Sequence, residues 1–130
     1  MSNNLTKWHA LVASKNTNAL RDILAENVVF HSPVVHSPQK GKKMTYLYLS
    51  TALRVFLLGE FSYTREVVNE TETFLEFKAV IDGITINGID MITWNEEGKI
   101  IDFKVMIRPL KAINLIHQKM GEMLAQYQKK

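Results

Sequence analysis

Apolar residues recur every three to four positions at both ends of the chain and every second position between about 60 and 108. The first period predicts helices. Leu5, Trp8, Leu11 and Val12 make one stripe. Asn18 can cap a second short helix, "ALRDILAEN", that turns Leu20, Ile23 and Leu24 inward. A strand, "VVFHS", follows and stops at Pro33, which cannot donate to a ladder. Two prolines and a glycine between Pro33 and Gly41 predict a surface loop. "KMTYLYLSTALRVFLLG" reads as a third helix that ends at Gly59.

The alternating half predicts four strands: "FSYTREVVN", "TFLEFKAVI", "ITINGIDMITW" and "KIIDFKVMIR". Asp82-Gly83 between the second and third is a strong hairpin signal, and "NEEG" makes a longer turn before the fourth. Pro109 then opens a last helix with Leu110, Ile113, Ile116, Met120, Leu124 and Tyr127 along one side. With no repeat, linker or low-complexity tract, residues 1–130 are expected to form one domain. Helices followed by a curved antiparallel sheet define an α+β fold.

Parity assigns faces. In the last strand Ile101, Phe103, Val105 and Ile107 oppose Asp102, Lys104, Met106 and Arg108. In the third, Ile84, Ile86, Ile92 and Trp94 share a face, and Asp90 falls on that same parity. A carboxylate among isoleucines pays for its desolvation by holding its proton, and a protonated carboxyl can donate to a ligand carbonyl or oxyanion. Two other readings stand beside this one. Asp90 can serve the fold alone, paired with Trp8, with a tyrosine or with a rim near Arg54. A bulge at Gly88 can reverse the parity.

Composition narrows the rest. The chain has 130 residues, 46% apolar and 22% charged, an ordinary globular balance. Its longest apolar runs are far short of the ~20 residues that a membrane span needs. "MSNNLTKWHALVASKN" does not read as a signal peptide, and the absence of cysteine fits a cytoplasmic location. The net charge of +3 owes much to "KGKK" and the last two lysines, which stand apart and beside acidic stretches. That spacing does not make the single basic face of a nucleic-acid binder.

The tripeptide His-Ser-Pro occurs twice, at His31 and at His36. Five residues apart with a proline between, the two imidazoles lack the spacing of a helical zinc pair, and no third ligand stands near. No metal is expected, and the repeat reads as two turns. Ser32, His36 and Asp90 lack the setting of a nucleophilic triad. His36, on the loop, is a candidate base, because imidazole titrates near neutrality.

"ALRDILAENVVFHSP", the helix led by Gly41 and "GIDMITWNEEGKIIDFKVMIRP" resemble the nuclear transport factor 2-like superfamily, which includes the SnoaL-like polyketide cyclases. The resemblance covers nearly the whole chain. It implies a cone, a curved sheet wrapped by the N-terminal helices around an apolar pocket, here with an extra C-terminal helix, in a homodimer. Set beside ketosteroid isomerase, Asp90 matches the oxyanion-hole aspartate, Trp8 the oxyanion-hole tyrosine and Ser32 the catalytic aspartate. A serine cannot shuttle a proton between carbons, so that isomerase's base is absent.

The resulting expectation is a small, largely apolar ligand held near Asp90, with isomerase, dehydratase or cyclase chemistry as an extension. Trp8, Phe30, Ser32, Tyr48, Phe56, Ile92, Phe103, Val105 and Ile107 are the expected pocket lining. No cofactor is expected, since the chain has no glycine-rich phosphate loop. The alternative is a non-catalytic dimeric module that binds a ligand or a protein, with Lys104, Met106 and Arg108 on its outer face.

Overall fold

Trp8 and Leu11, one helical turn apart, are buried, and they hold the first helix against the sheet. The computed structural model describes residues 2–128, with side chains over 3–126. In order these form α1 (Ser2–Ser14), a 3-10 turn (Thr17–Ala19), α2 (Leu20–Ile23), β1 (Leu24–His31), β2 (Gln39–Lys40) and α3 (Lys42–Phe56). The strands β3 (Glu60–Val68), β4 (Glu72–Ile81), β5 (Ile84–Trp94) and β6 (Ile100–Arg108) follow, then α4 (Leu110–Gln128).

The strands make one sheet in the order β2-β1-β6-β5-β4-β3. All neighbours run antiparallel except β1 and β6, which pair in parallel through Phe30 opposite Phe103 and His31 opposite Lys104. Asp82 and Gly83 take φ of 51° and 77°, the left-handed pair that a two-residue hairpin requires. The inner face of the sheet carries Phe30, Leu75, Phe77, Ile86, Ile92 and Phe103, all buried, and α1 and α3 close over it.

Five sequence expectations change. The second helix stops at Ile23 rather than running to Asn27, because Leu24 already pairs with Ile100 of β6. The local cap is Asn16, whose side chain accepts from the Asn18 amide. The predicted loop contains the two residues of β2, which pair with Val29 and Phe30. Gly59 does not cap α3; a Cβ there would sit 1.9 Å from the Val80 carbonyl oxygen, so the glycine permits close approach to β4. Finally, a bulge near the start of β6 gives the inner position to Ile100 instead of Ile101.

The last helix rests on Ala112, Ile116 and Met120, buried at i, i+4 and i+8, while Leu110 is 70% exposed. Full burial of a side chain such as Ile116 contributes about 1.5–3 kcal/mol, so α4 is a docked element. Lys119 Nζ adds an ion pair to Asp82 Oδ2 at 3.0 Å. The side chain of Tyr127 lies outside the described residues. No described helix is long and apolar enough to cross a membrane.

Candidate functional site

The register of β4 on β5 is continuous from Glu72 opposite Thr93 to Ile81 opposite Ile84. No bulge occurs at Gly88, and Asp90 keeps the inward parity. It is 6% exposed and lines a cavity with Leu49, Ala52, Leu53 and Phe56 of α3 and Phe61, Phe77, Phe103 and Val105 of the sheet. Every other member of that lining is apolar.

One chain of hydrogen bonds enters this cavity. Trp8 Nε1 donates to Tyr63 Oη at 2.9 Å, and Tyr63 Oη donates to Asp90 Oδ2 at 2.9 Å. An indole N–H can only donate, so its direction fixes the order: the tyrosine oxygen accepts from Trp8 and spends its own proton on Asp90. Asp90 Oδ1 has no partner among the described residues and is not fully enclosed, since no fully buried side-chain nitrogen or oxygen among them lacks a partner. Burial raises the Asp90 pKa from 3.8 to about 7, and the Tyr63 hydroxyl offsets part of that rise. Burial also pushes the Tyr63 hydroxyl well above its usual value, with the neighbouring Asp90 charge adding to it. Below about pH 7 Asp90 therefore carries a proton that Oδ1 can offer to the cavity.

The cavity is smaller than a hollow cone leads one to expect. Phe61 stacks on Phe77 at 5.2 Å and Phe56 meets Phe77 edge-on at 5.1 Å. Trp8 and Phe30 lean on Phe103 at 5.1 and 6.0 Å. The space left is about 10 Å³, room for about one water.

Of the residues singled out from the sequence, Asp90, Phe56, Phe103 and Val105 come together at this cavity. Trp8 reaches it through Tyr63. Phe30 and Ile92 are buried in the surrounding core, and Tyr48 is half-buried against it. Ser32 and Ile107 instead line a surface pocket of about 260 Å³ with His31, Pro33, Lys104, Val105 and Met106, where β1 ends and β6 continues. Ser32 Oγ accepts the Val34 amide. His31 points to the outer face and bonds Asp102 at 3.0 Å. His36 is exposed. Each His-Ser-Pro does meet a bend, at residues 33–34 and 36–37.

Tyr63, the middle of the chain of bonds, was not picked out from the sequence. The available signal was its parity with Phe61 in "FSYT". A bulge between Tyr63 and Arg65 and the exposed residues beyond it hide the alternation of β3.

No family model matches the chain, and no curated protein matches it. Solved structures do. A steroid delta-isomerase from Pseudomonas aeruginosa is 34% identical over 99% of this chain and 94% of its own, with a TM-score of 0.92. An uncharacterized protein with a cystatin-like fold from Silicibacter pomeroyi is 28% identical over 95% and 86%, with a TM-score of 0.86. A nuclear transport factor 2-like protein of unknown function from Mesorhizobium loti is 14% identical over 83% and 90%, at a TM-score of 0.72, a likeness of fold alone.

Proposed function

The chain belongs to the nuclear transport factor 2-like superfamily, and from that premise we propose that it binds a small, largely apolar molecule bearing a carbonyl or hydroxyl oxygen. Asp90 holds that oxygen by donating a hydrogen bond from its protonated carboxyl. The observation that carries this reading is the unpartnered Oδ1 of a buried carboxyl in an otherwise apolar cavity wall. The Pseudomonas protein's name, a steroid delta-isomerase, supports the ligand class.

Entry requires the aromatic wall to move, because the present space holds about one water. Asp90 is the only ionisable side chain lining the cavity among the described residues. Ser32 and His36 stand elsewhere, so neither is placed to take a proton from the ligand. The arrangement supports binding and polarisation of the ligand oxygen ahead of isomerisation, dehydration or cyclisation.

The test is a thermal-shift panel of lipophilic ketones and phenols on wild type and Asp90→Leu. A ligand at a hundred times its Kd adds about 2.7 kcal/mol, a rise of about 10 °C for a domain of this size. The reading requires a compound class that shifts wild type and leaves the variant unmoved. Equal shifts in both, or none at saturation, overturn it.

A homodimer is favoured by a separate observation. The outer face of β3–β6 carries a groove of about 410 Å³ that includes Val67, Phe74, Ile89 and Met106, with Val67 70% and Met106 51% exposed. An apolar strip flanked by Arg65, Glu76 and Arg108 suits an isologous contact with a second copy. Light scattering is expected to give a dimer that Met106→Glu dissociates; a monomeric wild type at working concentration refutes it.

A further inference from the structure

The helix that walls the cavity with Leu49, Ala52, Leu53 and Phe56 presents a different stripe to its other side. Lys43, Leu47, Ser50 and Arg54 stand at i, i+4, i+7 and i+11 of α3, one helical face. Across from them, the 3-10 turn and α2 bring up Asn18 and Arg21. Together they line a groove of about 410 Å³ that no part of the Asp90 cavity shares.

Its charge is one-sided. Three cationic side chains, Arg21, Lys43 and Arg54, line the groove, and no carboxylate does. The molecule's net charge is only +3, so this is a local concentration and not the average surface. Lys42, one residue before Lys43, is paired with Glu26, whereas Arg21 and Lys43 have no ion-pair partner among the described residues. Arg21 is held without one: its guanidinium lies 4.2 Å over the Tyr46 ring, and the Tyr46 hydroxyl donates to Asn18 Oδ1 at 3.1 Å. Stacking of this kind leaves the N–H edges of a guanidinium available as a fork. Arg54 is half-buried and donates to Thr17 Oγ1 at 3.3 Å.

The geometry points to a binding site for a phosphate monoester of a small organic molecule. The Arg21 guanidinium and the Lys43 ammonium line one groove beside the Arg54 side chain, a donor set that suits a dianion with several acceptor oxygens better than a single carboxylate. The volume is several times that of a phosphate and lies in the range of small-molecule sites. Met44 and Leu47, also in the lining, supply apolar surface for the organic part. The site is independent of Asp90 and of whatever that cavity holds.

Calorimetric titration with phenyl phosphate at about 0.15 M ionic strength tests the assignment. Wild type is expected to bind at one site with a Kd of order 0.1 mM. Arg21→Gln and Lys43→Gln each weaken phenyl phosphate binding about tenfold, while Lys78→Gln on the outer sheet face does not. Lys43 has no partner among the described residues, so its variant separates the site from any loss of fold. Sedimentation with vesicles containing phosphatidic acid distinguishes the source of the ester. Arg21-dependent recruitment assigns a lipid headgroup, and phenyl phosphate binding without recruitment assigns a soluble ester. Phenyl phosphate that fails to bind at about 10 mM with no vesicle recruitment overturns the site. So does an equal loss in all three variants, which is the mark of a generally basic surface.

Discussion

Removing the Asp90 charge while keeping its shape gives a sharp test, because the expected effect changes with pH. In Asp90→Asn the amide oxygen still accepts from Tyr63, and nothing at the position titrates. For wild type the sign follows from the two states. Between the ordinary 3.8 and the folded value of about 7, the unfolded chain has lost the proton and the folded chain still holds it. Stability is therefore fully present below about pH 4 and is lost as pH rises to about 7, after which the contribution is flat. The rise from 3.8 to about 7 corresponds to about 4 kcal/mol in all. About 3 kcal/mol of that falls between pH 5 and pH 8. Urea unfolding of both proteins across this window cancels every other titrating group in the difference. The variant is expected to gain about 3 kcal/mol on wild type from pH 5 to pH 8, or about 10 °C in Tm. Parallel curves within about 0.5 kcal/mol refute the reasoning, since Asp90 would then ionise as it does in water.

Three further expectations probe the packing around the site and on α4. Trp8→Phe removes the donor to Tyr63 Oη and part of the contact with Phe103, and is expected to lower the urea-derived stability by about 2 kcal/mol with an unchanged slope. A Cβ at Gly88 would lie 2.3 Å from Phe77 Cζ and 2.9 Å from Ile107 Cγ2, so Gly88→Ala is expected to cost about 1–3 kcal/mol, and Phe77→Leu in the same chain to recover part of it. Gly121 lies inside α4 with open space where a Cβ would go, so Gly121→Ala is expected to stabilise by up to about 1 kcal/mol, read as a higher Tm.

What could be read from the sequence was what depends on parity and on breakers. Ile84, Ile86, Ile92 and Trp94 placed Asp90 on the inner face, and the unbroken β4–β5 register keeps it there. The same reasoning turned His31 outward, where it meets Asp102. Reading failed where tertiary pairing competes with local pattern. Leu20, Ile23 and Leu24 fit one helical stripe, yet Leu24 gains a strand partner in Ile100, and the helix ends a residue earlier. Gly59 looks like a cap until the Val80 carbonyl is seen beside it. No local signal tells the first strand to pair in parallel with the last. At the site, Tyr63 was hidden by a bulge, which breaks the alternation that parity arguments need. The basic groove had half its signal in the spacing of Lys43 and Arg54 on α3. The other half, Arg21, reaches it only through the packing of α2 on that helix.

The raised pKa of Asp90 and the small size of its cavity have one physical origin. The phenylalanine rings that reduce the space to about 10 Å³ are the groups that keep bulk water from the carboxyl, and that loss of solvent raises its pKa. An opening wide enough to admit solvent would return Asp90 toward 3.8 and remove the proton near neutrality. A ligand that fills the opening with apolar surface would not, because it replaces one dry environment with another and presents its oxygen to Oδ1. Under the proposed function, the site so built discriminates on two counts at once. It favours molecules that are apolar enough to keep Asp90 protonated and that carry an acceptor where the unpartnered oxygen points. Trp8 sharpens the second count: its one-way donation commits the Tyr63 proton to Oδ2, which leaves Oδ1 as the oxygen that carries the carboxyl proton.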